Sequence, residues 1–227
     1  MIDGVLDRVV RRPGARILRV VDRADLDPRP IARQREGTNP MVVEVDGAML
    51  ATPGDRLPFG EASFDAVVSI HSLEAVPDRS WALTELRRIL PSDGRLVLAV
   101  WGPLESNPAL SALGDSLRRH GGVRAEAAVL WLSSLSQPDD LRALLRVSDF
   151  DHLQVTRQRG DMGLSSVRDL HRWLLDRFPI GAAIRALPTN AREEVVSDLH
   201  RVHEGLALEG SASRVPYTRD VHIAAAA

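Results

Sequence analysis

His71, flanked by Ser72 and Glu74, is the group of side chains in this sequence best suited to moving a proton. An imidazole titrates near neutrality, so it can take and return a proton as a general base and acid. The plainer alternative is a hydrogen-bonded histidine in a loop. Trp101, Trp131 and Trp173 offer large apolar surfaces that could wall a small-molecule pocket, although tryptophans on amphipathic helices often only pack. His200 and His203 stand three apart, which puts both imidazoles on one helical face with Glu193, Glu194 and Glu204 nearby. No further ligand set accompanies them, so a solvated polar face is the better reading and no metal is expected.

Composition removes several other chemistries. The 227 residues include no cysteine, which excludes a thiol nucleophile, a thiolate metal site and a disulfide framework. Every one of the 29 cationic residues is arginine, so a Schiff-base lysine and a P-loop lysine are excluded as well. Against 31 acidic residues those arginines are scattered, and no basic stripe offers nucleic acid a footprint. No apolar run approaches the roughly 20 residues that span a bilayer. Asp3, Asp7 and Arg8 interrupt the place where a signal peptide would be apolar. A cytoplasmic protein of one domain, 1–227, is expected, and the arginine and alanine excess suggests a GC-rich bacterial source.

The elements that must position these residues alternate. Ile17 to Val21, Met41 to Val45, Phe64 to Ile70 and Arg95 to Trp101 read as strands, the last two as continuous apolar runs of the kind a parallel sheet buries. Pro13-Gly14 ends a short N-terminal helix, and a poor helix starting near Pro30 separates the first two strands. Asp78 to Leu90 carries Trp81, Leu83, Leu86, Ile89 and Leu90 at helical spacing. Asn107 to Arg119, Glu126 to Leu132, Pro138 to Val147, Ser166 to Phe178 and Thr189 to Leu208 read as helices, Leu153 to Arg159 and Arg214 to Ala224 as strands. Such alternation predicts an α/β, doubly wound, mostly parallel sheet with a helical cap from 107–132 and 166–208. His71 then follows a strand at its carboxyl end, where open sheets place their ligands, and Trp101 ends the next strand on the same side.

Several phrases carry a resemblance. Leu57-Pro58-Phe59, Ala62 to Val68, Pro77-Asp78-Arg79, Leu86 to Leu90, Gly94 to Leu98 and Trp101-Gly102-Pro103 resemble the class I methyltransferases that use S-adenosylmethionine (SAM) on small molecules. The resemblance implies a Rossmann-like sheet, with Asp46 where the ribose carboxylate would sit and Asp55 near the adenine. It breaks at the cofactor loop. Members have a strand ending in an acid and then G-x-G-x-G, whose glycines let the backbone approach the cofactor. Here Arg19 replaces the acid, and the glycine positions hold Val21, Arg23 and Asp25. Arg19 and Arg23 could pair with Asp22 and Asp25 as a salt-bridged plug, or form an anion site.

Only Ala51-Thr52-Pro53 separates Leu50 from Gly54-Asp55, where the family has a helix and a third strand. The sheet is therefore expected to be trimmed at one edge, exposing the second strand to pairing with another copy. An alternative register makes Met41 to Asp46 the third strand. The leading functional expectation is a methyltransferase-fold protein that has lost SAM and binds a small apolar metabolite, steering its cyclisation, rearrangement or proton transfer. His71 would be catalytic, with Ser72, Glu74, Trp101, Trp131 and Trp173 around the substrate. The alternatives are an active methyltransferase with unusual SAM binding, and a non-catalytic partner or ligand-binding subunit.

Overall fold

The computed structural model describes residues 14–21, 41–50, 52, 54, 56–163, 179–208 and 214–226. The expected N-terminal helix, the helix near Pro30, the helix Ser166 to Phe178, and Asp22, Arg23, Asp25, Asp55 and Trp173 lie outside the described residues.

In chain order the elements are β1 (Arg16–Val21), β2 (Met41–Asp46), β3 (Ala66–Ile70), α1 (Arg79–Arg88), β4 (Arg95–Trp101), α2 (Pro108–Leu132), α3 (Pro138–Arg146), β5 (Phe150–Gly163), α4 (Ile180–Arg185), α5 (Thr189–Leu208) and β6 (Arg214–Ala226). The chain divides into two compact units. One comprises Met1–Val100, Pro138–Thr156 and Val221–Ala227, and the other Trp101–Gln137 and Arg157–Asp220.

The first unit is built on a mixed, mostly parallel sheet in the order β2-β1-β3-β4-β6-β5. β1 pairs in parallel with β2 on one side and β3 on the other, and β3 pairs in parallel with β4. β2 is the edge strand among the described residues, directly beside β1. Among the described residues the sheet is thus trimmed where the sequence is short, and Met41–Asp46 holds the second-strand place beside β1. Strands β1, β3 and β4 are buried almost throughout, as runs such as Ala66-Val67-Val68-Ser69-Ile70 require.

β3 starts at Ala66, two residues later than the apolar run suggests. Phe64 instead packs edge to face against Phe59, with ring centroids 4.9 Å apart, and its N–H donates to Ile89 O at 3.0 Å. Asp65 is structural: its carboxylate accepts from Arg16 N at 2.8 Å, and its own N–H donates to Arg16 O at 2.8 Å. The turn before β3 is held by Glu85 on α1, which accepts from Leu57 N at 2.8 Å and is clasped by Arg88, while Arg88 also donates to Phe59 O at 2.9 Å. Asp78 caps α1 by accepting from Trp81 N at 2.9 Å.

The second unit is helical around an apolar cluster of Trp101, Leu113, Val129, Ile184, Val195, Leu199 and their neighbours. The two helices expected over 107–132 are both present: they lie within α2, Pro108–Leu132, and meet at a kink where Gly122 leaves the helical conformation, at φ 73° and ψ −173°. Only glycine reaches that conformation without strain, so Gly122 ends the first helix and lets the second start in a new direction. Helix α4 was not legible beforehand. Its six residues, Ile-Gly-Ala-Ala-Ile-Arg, are too few to show a period, and the burial of Ile180 and Ile184 one turn apart decides it. β5 likewise extends beyond the expected Leu153 to Arg159, into polar sequence with no strand pattern of its own. Among the described residues no helix is long and apolar enough to cross a membrane.

One buried carboxylate ties α2 to α5. Asp198 accepts from Ser116 Oγ at 2.7 Å, Arg119 at 2.9 Å and His120 Nε2 at 3.2 Å, and pairs with Arg201 on its own helix. Burial opposes its charge, but the Ser116 hydrogen bond, the Arg119 charge, His120 and Arg201 outweigh it and hold the carboxyl below its usual value. A carboxyl lowered in the folded state stabilises the fold above its unfolded value and ceases to do so as pH falls through the folded one. Asp198→Ala is therefore expected to lose about 1 to 3 kcal/mol at neutral pH, by denaturant titration. The gap to wild type should narrow below about pH 4. A gap that is constant from neutrality to strongly acid pH would contradict the assignment.

Candidate functional site

Parallel pairing brings the carboxyl ends of β1, β2 and β3 into register, with Val21 beside Asp46 on one side and Ile70 on the other. The residues that follow these strands meet at that end of the sheet. His71 comes directly after β3, is buried, and has φ 50°, a left-handed conformation uncommon for a side-chain-bearing residue. Its N–H donates to Ala99 O at 2.8 Å, continuing the ladder to β4 while the chain turns away. Such strained residues persist where their surroundings over-determine them, and they cluster at functional sites.

The neighbours of His71 are fixed too. Ser72 Oγ lies 2.6 Å from Ser69 Oγ and donates a long bond of 3.4 Å to Val20 O. Glu74, on the single 3₁₀ turn Leu73–Ala75, is fully buried, with Oε1 3.5 Å from His71 Nδ1. Arg79 donates to the Glu74 carbonyl at 3.2 Å. Burial lowers the Arg79 guanidinium from its usual value, with the Glu74 carboxylate working in the opposite direction. The structure therefore assembles His71, Ser72 and Glu74, three of the residues singled out by type, into one buried polar group.

The tryptophans are placed differently. Trp101 is buried in the apolar cluster of the helical unit with Leu110, Leu113 and Val129, whereas Trp131 on α2 is 39% exposed. Asp46 ends β2 half-buried. His200 is exposed, and the side chain of His203 lies outside the described residues. Among the described residues no three His, Asp or Glu side chains stand together as a metal site.

Arg19, in the position of the missing acid, has a partner that sequence reasoning did not name. Its NH1 lies 2.6 Å from Glu44 Oε1, its cross-strand neighbour in the β1–β2 register. The parallel register places Glu44 directly opposite Arg19, which only the strand pairing reveals; the expected pairing with Asp22 or Asp25 falls on residues outside the described ones.

Residues 7–98 match the model of the "Methyltransferase domain" family. A 2-phytyl-1,4-naphtoquinone methyltransferase of Thermosynechococcus vestitus is 30% identical over 168 residues, 66% of this chain and 69% of that protein. The chain belongs to the class I SAM-dependent methyltransferase superfamily. An O-methyltransferase of Penicillium expansum is 33% identical to this superfamily member over 106 residues, 47% of the chain but only 34% of that relative. The chain thus spans about a third of the length of that first curated relative. Among solved structures, a protein designated a methyltransferase from an antibiotic biosynthesis pathway in Anabaena variabilis superposes with a TM-score of 0.57 at 14% identity. The match covers 97% of this chain and 95% of that one, and it shows the shared fold alone.

The Arg19–Glu44 pair yields a prediction for this superfamily member. Arg19 is buried, so Glu44→Ala leaves a guanidinium with a reduced partner set and should cost about 1 to 3 kcal/mol in denaturant unfolding. Arg19→Met combined with Glu44→Leu should recover most of that loss. Wild-type stability of the single variant would show that the pair contributes nothing.

Proposed function

We propose that this chain is a methyltransferase-fold protein that no longer binds SAM and acts on a small apolar metabolite, steering its cyclisation, rearrangement or proton transfer. The observation that carries the reading is a contrast within one sheet. The strands that frame the cofactor crevice are kept, while the positions of the three loop glycines hold Val21, Arg23 and Asp25 and the acid position holds Arg19 paired to Glu44. In the superfamily those glycines let the backbone approach the cofactor, and this sequence has none of the three.

The chemistry then falls to few residues. Holding a reactive substrate in one folded conformer lowers a barrier by several kcal/mol without any catalytic group. His71 is the residue for proton movement, with Ser72 and Glu74 as its neighbours.

The second reading is a working SAM-dependent methyltransferase of unusual cofactor binding, and superfamily membership favours it. Thermal unfolding with SAM separates the two. A bound cofactor at a hundredfold excess over its dissociation constant would add roughly 2 to 3 kcal/mol of stability. We expect no shift, and a saturable one at micromolar SAM would establish the second reading. With the substrate in hand, His71→Ala should lower turnover roughly a hundredfold if a proton moves. Unchanged turnover would mean that shape alone does the work.

A further inference from the structure

The reading above rests on the loop after β1; a separate feature, at the ends of β2 and β3, deepens it. Strand order reverses at β1: the chain proceeds from β1 to β2 on one side, and β3 lies on the other. Open parallel sheets bind their ligands in the crevice beyond the carboxyl ends at such a switch point. β2 and β3 flank β1, so their strand axes are about 9.5 Å apart. Directly after the strands that distance collapses. A Cβ placed on Gly47 would stand 2.9 Å from Ser72 Cβ and 3.4 Å from the Val21 carbonyl oxygen. Gly47 and Ser72 have both turned inward and meet over the end of β1.

The contact is supported from both sides. Gly47 opens the single 3₁₀ turn Gly47–Leu50, whose Leu50 is buried, and this turn packs along the turn Leu73–Ala75. Ser72 is itself buried and tied to Ser69 and Val20. Glycine at 47 is what allows the approach, since any side chain there would collide with Ser72. A ligand atom lying between the two residues would need roughly 7 Å, twice an ordinary carbon–carbon separation. The residues present therefore do not fit an adenosine-bearing cofactor over β1.

We infer that the Gly47–Ser72 contact is a built-in seal: the chain fills, with its own backbone, the part of the switch-point crevice that a nucleoside would occupy. What remains at the carboxyl ends is the side of β3 that carries His71. A reaction confined there uses the substrate's own atoms: a proton leaves one position and returns at another, or a new σ bond forms between two parts of one molecule as a π bond of that molecule is consumed. Both conserve every atom and electron and require no donor.

Because the chain has no cysteine, Ser72→Cys creates a single thiol that reports on the seal. Its reaction with dithionitrobenzoate should be slower than that of the unfolded variant by roughly a hundredfold or more. Gly47→Ala introduced beside it wedges the contact open and should raise the rate at least about tenfold. Equal labelling of folded and unfolded Ser72→Cys overturns the seal. Equilibrium dialysis of the wild-type protein against radiolabelled S-adenosylhomocysteine tests the cofactor separately. Protection without binding supports the inference. Binding that leaves the thiol protected puts the nucleoside elsewhere, and binding that exposes it makes the contact displaceable; either result overturns the inference. Fast labelling without binding removes the seal but leaves the cofactor-free reading standing.

Discussion

The parallel pairing of β1 with β2 and β3 is the constraint from which the site follows. It requires that three chain segments leave the sheet at the same end, the outer two one strand spacing to either side of β1. Each must satisfy its last backbone groups as it turns, and the available partners are the neighbouring strands. His71 does so through Ala99, while the Ser72 hydroxyl donates to the last-but-one carbonyl of β1, Val20 O, and meets Ser69 Oγ. The polar cluster at the carboxyl end is therefore first a solution to strand termination. Its strained backbone at His71 and buried carboxylate at Glu74 go beyond what termination alone demands.

Charges within the first unit follow the same logic of register. Arg19 meets Glu44 because β1 and β2 are parallel with that offset, and Arg16 meets Asp65 because β3 begins where it does. Glu85 and Arg88 bring a turn-rich segment onto α1 by accepting from and donating to its backbone. Burial works against the Glu85 charge, yet the Arg88 hydrogen bond and the Leu57 N–H leave its carboxyl below the usual value. In the helical unit Asp198 plays the comparable part between α2 and α5. The buried carboxylates of Glu85 and Asp198 each accept several hydrogen bonds, which offsets the cost of removing their charge from water.

Superfamily membership and the rewriting of the cofactor loop are compatible because they concern different parts of the fold. Strand order, apolar runs and the clasp before β3 depend on burial and survive without a ligand. The glycines of a cofactor loop are useful only when a ligand needs the close approach, and without one, side chains there cost nothing. Shortening the chain after Leu50 acts at the edge of the sheet, where the loss of a strand leaves the buried centre intact.

By itself the sequence determined the fold class, the strands at Ile17–Val21, Met41–Val45 and Arg95–Trp101, the trimmed edge, and the presence of His71, Ser72 and Glu74 together after β3. Each is written locally, in continuous apolar runs, in spacing or in missing residues. Helix α4, the partner of Arg19, the core position of Trp101 and the meeting of Gly47 with Ser72 were decided by tertiary structure. They depend on which segments, far apart in sequence, become neighbours. Gly47 and Ser72 are 25 positions apart and carry no pattern that names them as a pair. Only the placing of β2 and β3 on either side of β1 brings their backbones into contact.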